Sequence, residues 1–342
     1  MKKLKKIIVK CIPYNLFKLI LNAKYIVLPY LYLLRLNKFQ PYYLKSMGIK
    51  GVAYNDMSEC KKIRWGQAFY DYNSSNYSSS LKLMWTEDPC PGNYGDWLSP
   101  YIITKMSNRG VEHVSGVNNS NVKHLIALGS VVDCANKNSV VIGAGIDNKN
   151  AKLNSQAKYI SVRGKYTAER LKSITGIEID KFGDIGFLIR RLYSPKKRKE
   201  KNNILLVRHV NQSYFPLNLP DGYKEVSIFA AKPEDIEAFI DEIYNSKLVV
   251  TSAMHCFITC ISYGVPCKLI SFSGEDIKVP GDGIKFLDAL SGVNLPEIKP
   301  KNIDIGPNMF SDIENVVAYT KKVSDLELDD IRDTILKSLK YF

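Results

Sequence analysis

The sequence predicts an α/β protein built from two Rossmann-like domains that face each other across a cleft, preceded by a basic amphipathic segment. Three observations carry that expectation. At 342 residues the chain exceeds the size at which one hydrophobic core usually stops growing. From about residue 80 short apolar runs alternate with helix-like segments, the pattern of parallel strands joined by crossovers and covered on both faces. A charged stretch, SPKKRKEKNN (194–203), interrupts the alternation once, after which it resumes. The expected boundaries are 1–50 for the basic segment, 51–195 for the first domain and 196–342 for the second.

In the first series, LKLMW (81–85) reads as a strand and leads through the turn PGNYGD to a helix expected to start at Ser99-Pro100 and to end near Asn108. Strands follow at HLIALGS (124–130), SVVIGAGI (139–146) and KYISVRG (158–164). The helix YTAERLKSIT can close on Gly176 as a left-handed cap. In the second series ILLVRHV, EVSIFAA, KLVVTS and CKLISFS read as strands. PEDIEAFIDEIYNS is a helix with Pro233 in its first turn, and MHCFITCISY is a helix stopped by Gly264-Val265-Pro266. The final DLELDDIRDTILKSLKYF is amphipathic and closes the structure as a helix.

The net charge of +14 is unevenly placed. Eleven of the 48 basic residues and none of the 34 acids fall in residues 1–50, so the remainder is near balance, without the spread of basic and aromatic residues that a nucleic-acid groove needs. Within the basic segment Lys10, Lys18 and Lys24 break every window long enough to span a bilayer. No small-residue cleavage site marks a signal peptide. Two readings remain: an interfacial helix drawn to an anionic membrane surface, or a basic helix packed on the body. Seven cysteines, an odd number without a CxxC pair, suggest reduced thiols in a cytoplasmic protein, peripheral on the inner face of the membrane.

In open parallel sheets ligands bind beyond the carboxyl ends of the strands. That rule selects Asp96, the glycines of Gly143-Ala144-Gly145, Arg163 and His255. Each also has a structural reading. Asp96 can cap a helix, although Ser99-Pro100 already supplies that signal. Arg163 can pair with a buried acid or grip an anion bidentately. His255, in the first turn after Ser252, sits where a helix presents free N–H groups to an anion, yet an isolated histidine is often simply buried. The Gly-Ala-Gly run lacks the dinucleotide fingerprint and reads as a tight turn. Cys256, His113 and His124 show no ligand spacing, so no metal site is expected. His209, at the end of ILLVRH, is a further cleft candidate.

Taken in order, GNYGDWLSPYI, ALGSVV with VVIGAGI, ISVRGKYTAERL, GDIGFLI and TSAMHCFITCISYGVPC resemble the polysaccharide pyruvyl transferase family, and within it the exopolysaccharide ketal-forming branch. The resemblance covers roughly residues 85–275. It implies two Rossmann-like domains in a GT-B-type arrangement. It also implies transfer of the enolpyruvyl group of phosphoenolpyruvate to two hydroxyls of a sugar in a capsule, exopolysaccharide or cell-wall glycan, giving a pyruvate ketal and phosphate. Asp96 is similar to the family's early acid, Arg163 to the arginine of SVRG and His255 to the histidine of S-x-x-H.

Ala253-Met254 depart from the pattern, because many members carry a basic residue there; Trp97 departs as well, following Asp96 where a small or acidic residue is common. The chemistry matches the residue types, since the donor's carboxylate and phosphate need cations and N–H groups, and its methylene carbon needs a proton. We assign Asp96 and His255 to catalysis and Asn93, Gly95, Arg163, Ser252 and His255 to substrate binding. No cofactor is expected beyond phosphoenolpyruvate as donor substrate, and the acceptor is a glycan that a lipid carrier would bring to the membrane. The competing readings are a GT-B-type nucleotide-sugar glycosyltransferase, with Glu275 or Asp276 holding a ribose, and a non-catalytic membrane-bound partner in glycan assembly.

Overall fold

The computed structural model of the chain describes residues 71–72, 77–87, 92–114, 121–197, 203–213, 217–274 and 279–342; the basic segment 1–50, and Glu275 and Asp276, lie outside these. The first series of elements runs β1 (Ser80–Met84), α1 (Tyr94–Ser107), β2 (Gly110–His113), β3 (His124–Ile126), β4 (Ser139–Val141), β5 (Lys158–Tyr159), α2 (Lys165–Thr175) and α3 (Ile189–Leu192). The second runs β6 (Ile204–Val207), β7 (Tyr223–Glu225), α4 (Pro233–Tyr244), β8 (Leu248–Thr251), α5 (Met254–Tyr263), β9 (Cys267–Phe272), α6 (Ile284–Ser291), β10 (Lys301–Ile303), α7 (Met309–Glu314) and α8 (Asp325–Ser338).

The strands form two five-stranded sheets in the orders β2-β1-β3-β4-β5 and β7-β6-β8-β9-β10, with every pairing parallel. Counted from its own first strand, each sheet has the order 2-1-3-4-5 of doubly wound folds, with a topological switch point beside its first strand. Side chains of a strand alternate between faces, and here both faces are apolar. In the first sheet Leu83, Leu125 and Val140 enter one core while Met84, Ile126 and Val141 enter another. In the second, Leu205, Val207, Val249 and Leu269 enter the core that also receives Leu83, while Leu206, Val250 and Ile270 face a third. The shared core therefore joins the inner faces of both sheets. Helix α1 runs through it, with Trp97, Leu98 and Ile102 wholly buried beside Phe187, Phe257 and Ile261.

Two local expectations are corrected. Helix α1 begins at Tyr94 and not at Ser99-Pro100; its N-cap is Asn93, whose side chain accepts from the Gly95 N–H. Pro100 stands inside the helix, where its missing N–H leaves the Asp96 carbonyl without its intrahelical donor. The segment EVSIFAA joins the sheet only at its start, through Glu225 and the Val226 N–H, which donates to the Leu206 carbonyl. Its later residues cross to the start of α1, where the Tyr94 N–H donates to the Ile228 carbonyl and the Ala230 N–H to the Gly92 carbonyl. The stops at Gly176 and Gly264 are left-handed caps, as their φ of +75° and +73° require.

Candidate active site

A cleft of about 320 Å³ opens where the carboxyl ends of the two sheets meet. Thr86, Asn93, Gly95 and Asp96 reach it after β1, Ser130 after β3, Asp147 after β4, His209 after β6, Ala253 to His255 after β8, and Lys285 on α6. The residues after β1, β3, β6 and β8 come from both switch points, the places where doubly wound sheets open a crevice. A larger cavity, about 620 Å³, lies on the other side of Lys285 and is lined by Ser271, Phe272, Lys299 and Asn302 among others. Among the described residues that line it there is no histidine, and the one carboxylate, Asp282, is exposed; the buried proton carriers gather in the smaller cleft.

Asp96 occupies the first turn of α1, and the Asn93 side-chain amide donates to its Oδ2 at 2.8 Å. Burial raises its carboxyl to about 6, against the lowering effect of Asn93, His255 and Lys285. A carboxylate so placed titrates near the working range of a general base.

His255 lies in the first turn of α5, a helix whose N-cap, Ala253, offers no side-chain bond, so its first N–H groups face the cleft uncapped. The imidazole is held from two sides. Its Nδ1 packs against Gly95, where an added Cβ would stand 2.3 Å away. Its Nε2 is 3.6 Å from Oδ2 of Asp184, and neither atom has a hydrogen-bond partner. Oδ1 of Asp184 accepts from the Gly186 N–H at 2.8 Å, which fixes the carboxylate.

Lys285 is only 8% exposed, and its Nζ donates to the Pro280 carbonyl at 3.3 Å. Burial, aided by the Arg163 charge, lowers it to about 8, while Asp96 and Asp147 act in the other direction. It brings a cation to a cleft whose α5 entrance is Ala253-Met254. His209 stays neutral, pushed down to about 3 by burial and by its neighbours Lys285 and His255, and its Nδ1 accepts from the Asn211 N–H at 3.2 Å.

Arg163 is completely buried and does not line the cleft. Its Nε donates to Asp288 at 2.9 Å, Nη1 to Ser130 at 2.8 Å and Nη2 to the Ile146 carbonyl, and Nη1 lies 3.9 Å from the Met254 sulfur. Asp288 also accepts from the backbone N–H and the hydroxyl of Thr167, so this network ties α6 to α2. The Gly-Ala-Gly run serves the same guanidinium: a Cβ on Gly145 would stand 2.4 Å from its Cζ. Ser252 is buried as well, its Oγ accepting from the His209 N–H at 2.9 Å, which couples the loops after β6 and β8.

Among the described residues no group of histidine, cysteine and carboxylate side chains is arranged to hold a metal ion, and no helix is long and apolar enough to cross a membrane. Cys256, Cys260 and Cys267 are buried thiols that burial pushes up, away from reactivity. His113 and His124 serve structure, bonded to the carbonyls of Trp85 and Val122.

A family model described as polysaccharide pyruvyl transferase matches residues 16–273, three quarters of the chain. The chain belongs to that family. An uncharacterized protein of Acanthamoeba polyphaga mimivirus is 24% identical to it over 203 residues, covering 58% of this chain and 70% of the relative. The pyruvyl transferase match spans α1, α5 and the Gly-Asp-Ile-Gly turn, and stops before Lys285.

Asp184 and Lys285 are the two residues that sequence reasoning passed over. Asp184 stood in the quoted motif GDIGFLI, and an acid between two glycines was its signal. Lys285 had none: it is one of many lysines, and only the packing of α6 against α2 brings it to the cleft.

Proposed function

We propose that this pyruvyl transferase uses phosphoenolpyruvate as donor and forms a cyclic pyruvate ketal across two hydroxyls of a sugar in a capsule, exopolysaccharide or cell-wall glycan. The observation that carries the reading is one cleft that gathers a buried cation, an uncapped helix N-terminus and two proton carriers, Lys285, α5, Asp96 and His255. An anionic donor with two charged ends suits the first pair. Proton traffic suits the second.

In this mechanism His255 delivers a proton to the methylene carbon of the donor, which becomes the ketal methyl, and C2 takes the charge. A hydroxyl of the sugar attacks C2 as Asp96 removes its proton. The C2–O bond to phosphate then breaks, phosphate leaves with the bonding pair, and the second hydroxyl closes the ring on C2 as its proton passes to the base left on His255. Lys285 balances the phosphate charge as it departs with the proton that Asp96 took. Of the remaining substrate-binding assignments, Asn93 and Gly95 act within the cleft by holding Asp96 and admitting His255, whereas Arg163 and Ser252 act through the loops they hold.

The account includes a GT-B-type arrangement of domains at 51–195 and 196–342, and a basic segment that rests on the inner membrane surface. Deleting residues 1–40 should then move the chain out of the membrane fraction, and an unchanged distribution would dismiss the anchor. The reaction itself is tested by phosphate release: the protein should liberate phosphate from phosphoenolpyruvate only when a glycoside acceptor is present, and should leave nucleotide sugars intact. Consumption of a nucleotide sugar instead would favour glycosyl transfer.

A further inference from the structure

We propose that Asp184 is the positioning residue of His255, holding a proton on Nε2 throughout the cycle so that Nδ1, the nitrogen against Gly95, is the atom that gives and takes the reacting proton. The inference deepens the proposed function and rests on it for the identity of the reaction, though not for the geometry.

The geometry is asymmetric in a way that decides between the two ring nitrogens. Nε2 is enclosed, 3.6 Å from Oδ2 of Asp184, and both atoms are buried without a hydrogen bond. Such distances are often long in an empty site and tighten in the complex. Asp184 has no exposed surface and its other oxygen is fixed by the Gly186 N–H, so the donor that Oδ2 lacks must come from within the protein, and Nε2 of His255 is its ion-pair partner among the described residues. A buried carboxylate without one is costly. The proton that satisfies it is the one on Nε2.

Nδ1 has the opposite surroundings. It lies against the α-carbon of Gly95 at the cleft, and no side chain among the described residues bonds it. Among the described residues the charged and titratable groups around the ring are Asp184 on the Nε2 side and, lining the cleft, Asp96 on α1, Asp147 after β4, His209 after β6 and Lys285 on α6. Only Asp184 is placed to bond Nε2.

In the form that donates, the ring has two N–H groups with separate duties. Its Nδ1 proton passes to the methylene carbon of the donor, leaving the neutral ring with Nε2–H still on Asp184. Nδ1 then accepts the proton of the second hydroxyl as the ring closes, while Asp96 passes the first hydroxyl's proton to the departing phosphate, which restores the starting state. No other reactant is needed.

The test is nitrogen-15 NMR of His255 in the full chain without substrate, in the wild type and in Asp184→Asn. In the wild type the neutral ring should carry its proton on Nε2, protected from solvent exchange. In Asp184→Asn the side-chain oxygen keeps the Gly186 N–H, the amide turns its donors to Nε2, and the proton should move to Nδ1. Turnover with phosphoenolpyruvate and a glycoside should fall about a hundredfold or more, with donor KM changed by less than about twofold, the split expected when the wrong tautomer faces the substrate. A wild-type ring protonated on Nδ1, or one whose Nε2 proton exchanges freely, overturns the proposal even if Asp184→Asn does not fold. Wild-type protein that ignores phosphoenolpyruvate yet shows the protected Nε2 proton overturns the proposed function and leaves the pair standing.

Discussion

The Asn93 side chain spans the start of α1, its oxygen capping the Gly95 N–H and its amide donating to the Asp96 carboxylate at 2.8 Å. The helix is therefore capped by a neighbour of Asp96, and the carboxylate is left for the cleft. Its burial is the reason it titrates at about 6.

That value makes Asp96→Asn a two-sided test. The folded state binds the Asp96 proton more tightly than the unfolded chain, which releases it near 3.9, so ionised Asp96 subtracts stability, increasingly from about pH 4 to 6 and constantly above. Asparagine carries no such penalty. The variant should be more stable by up to about 3 kcal/mol at pH 8 and by nothing near pH 3, while turnover falls by roughly two to four orders of magnitude. Denaturant titrations at the two pH values, with turnover measured alongside, check both halves. A variant that turns over normally assigns the carboxylate to structure alone.

Two residues contribute limbs to the pH profile. Activity should rise as Asp96 ionises near pH 6 and fall as Lys285 discharges near pH 8, because the base needs its charge and the donor needs the cation. Lys285→Met should raise the donor KM and remove the fall near pH 8. An alkaline limb that persists in the variant belongs to another group.

Gly95→Ala isolates the fit between α1 and His255. In an open helix alanine is favoured over glycine by roughly 0.5–1 kcal/mol. Here the new Cβ would stand 2.3 Å from Nδ1, so the ring must shift. Turnover should fall by about a hundredfold, the scale expected for a misplacement of about 1 Å. Full activity would mean that the ring has room that the structure does not give it.

Arg163 gives a prediction of the opposite kind. Its donors are spent on Asp288, Ser130 and Ile146 inside the protein, so Arg163→Ala leaves Asp288 as a buried charge without its cation and should destabilise by about 3–5 kcal/mol. Arg163→Lys keeps the charge and loses the planar fork, and should lower the melting temperature with it. Calorimetry beside donor-binding measurements separates the roles. Weakened donor binding at an unchanged melting temperature would place Arg163 against the donor.

Strand and helix identity was legible wherever the apolar pattern was strong and punctuated, as at the Gly176 and Gly264 stops. It failed where a local signal competed with packing. Ser99-Pro100 is a good helix start in isolation, yet α1 begins five residues earlier because Asn93 caps it and the shared core surrounds it from Tyr94 to Thr104. The short edge strands β2 and β10 carry too few residues to show a period. At the site, Asp96 and His255 could be found from their positions after strands. The partners of Arg163, Asp184 and Lys285 could not, because deciding contacts join segments more than seventy residues apart, as those of Arg163 with Asp288 and Asp184 with His255 do.

The most direct measurement is the reaction run in deuterated water with phosphoenolpyruvate and a panel of lipid-linked or synthetic glycosides, the products read by mass spectrometry and proton NMR. The account predicts one phosphate released per glycan modified, a glycan heavier by pyruvate less water, and a ketal methyl that carries solvent deuterium delivered from His255. A panel that yields no ketal, or a ketal methyl without solvent deuterium, would contradict it.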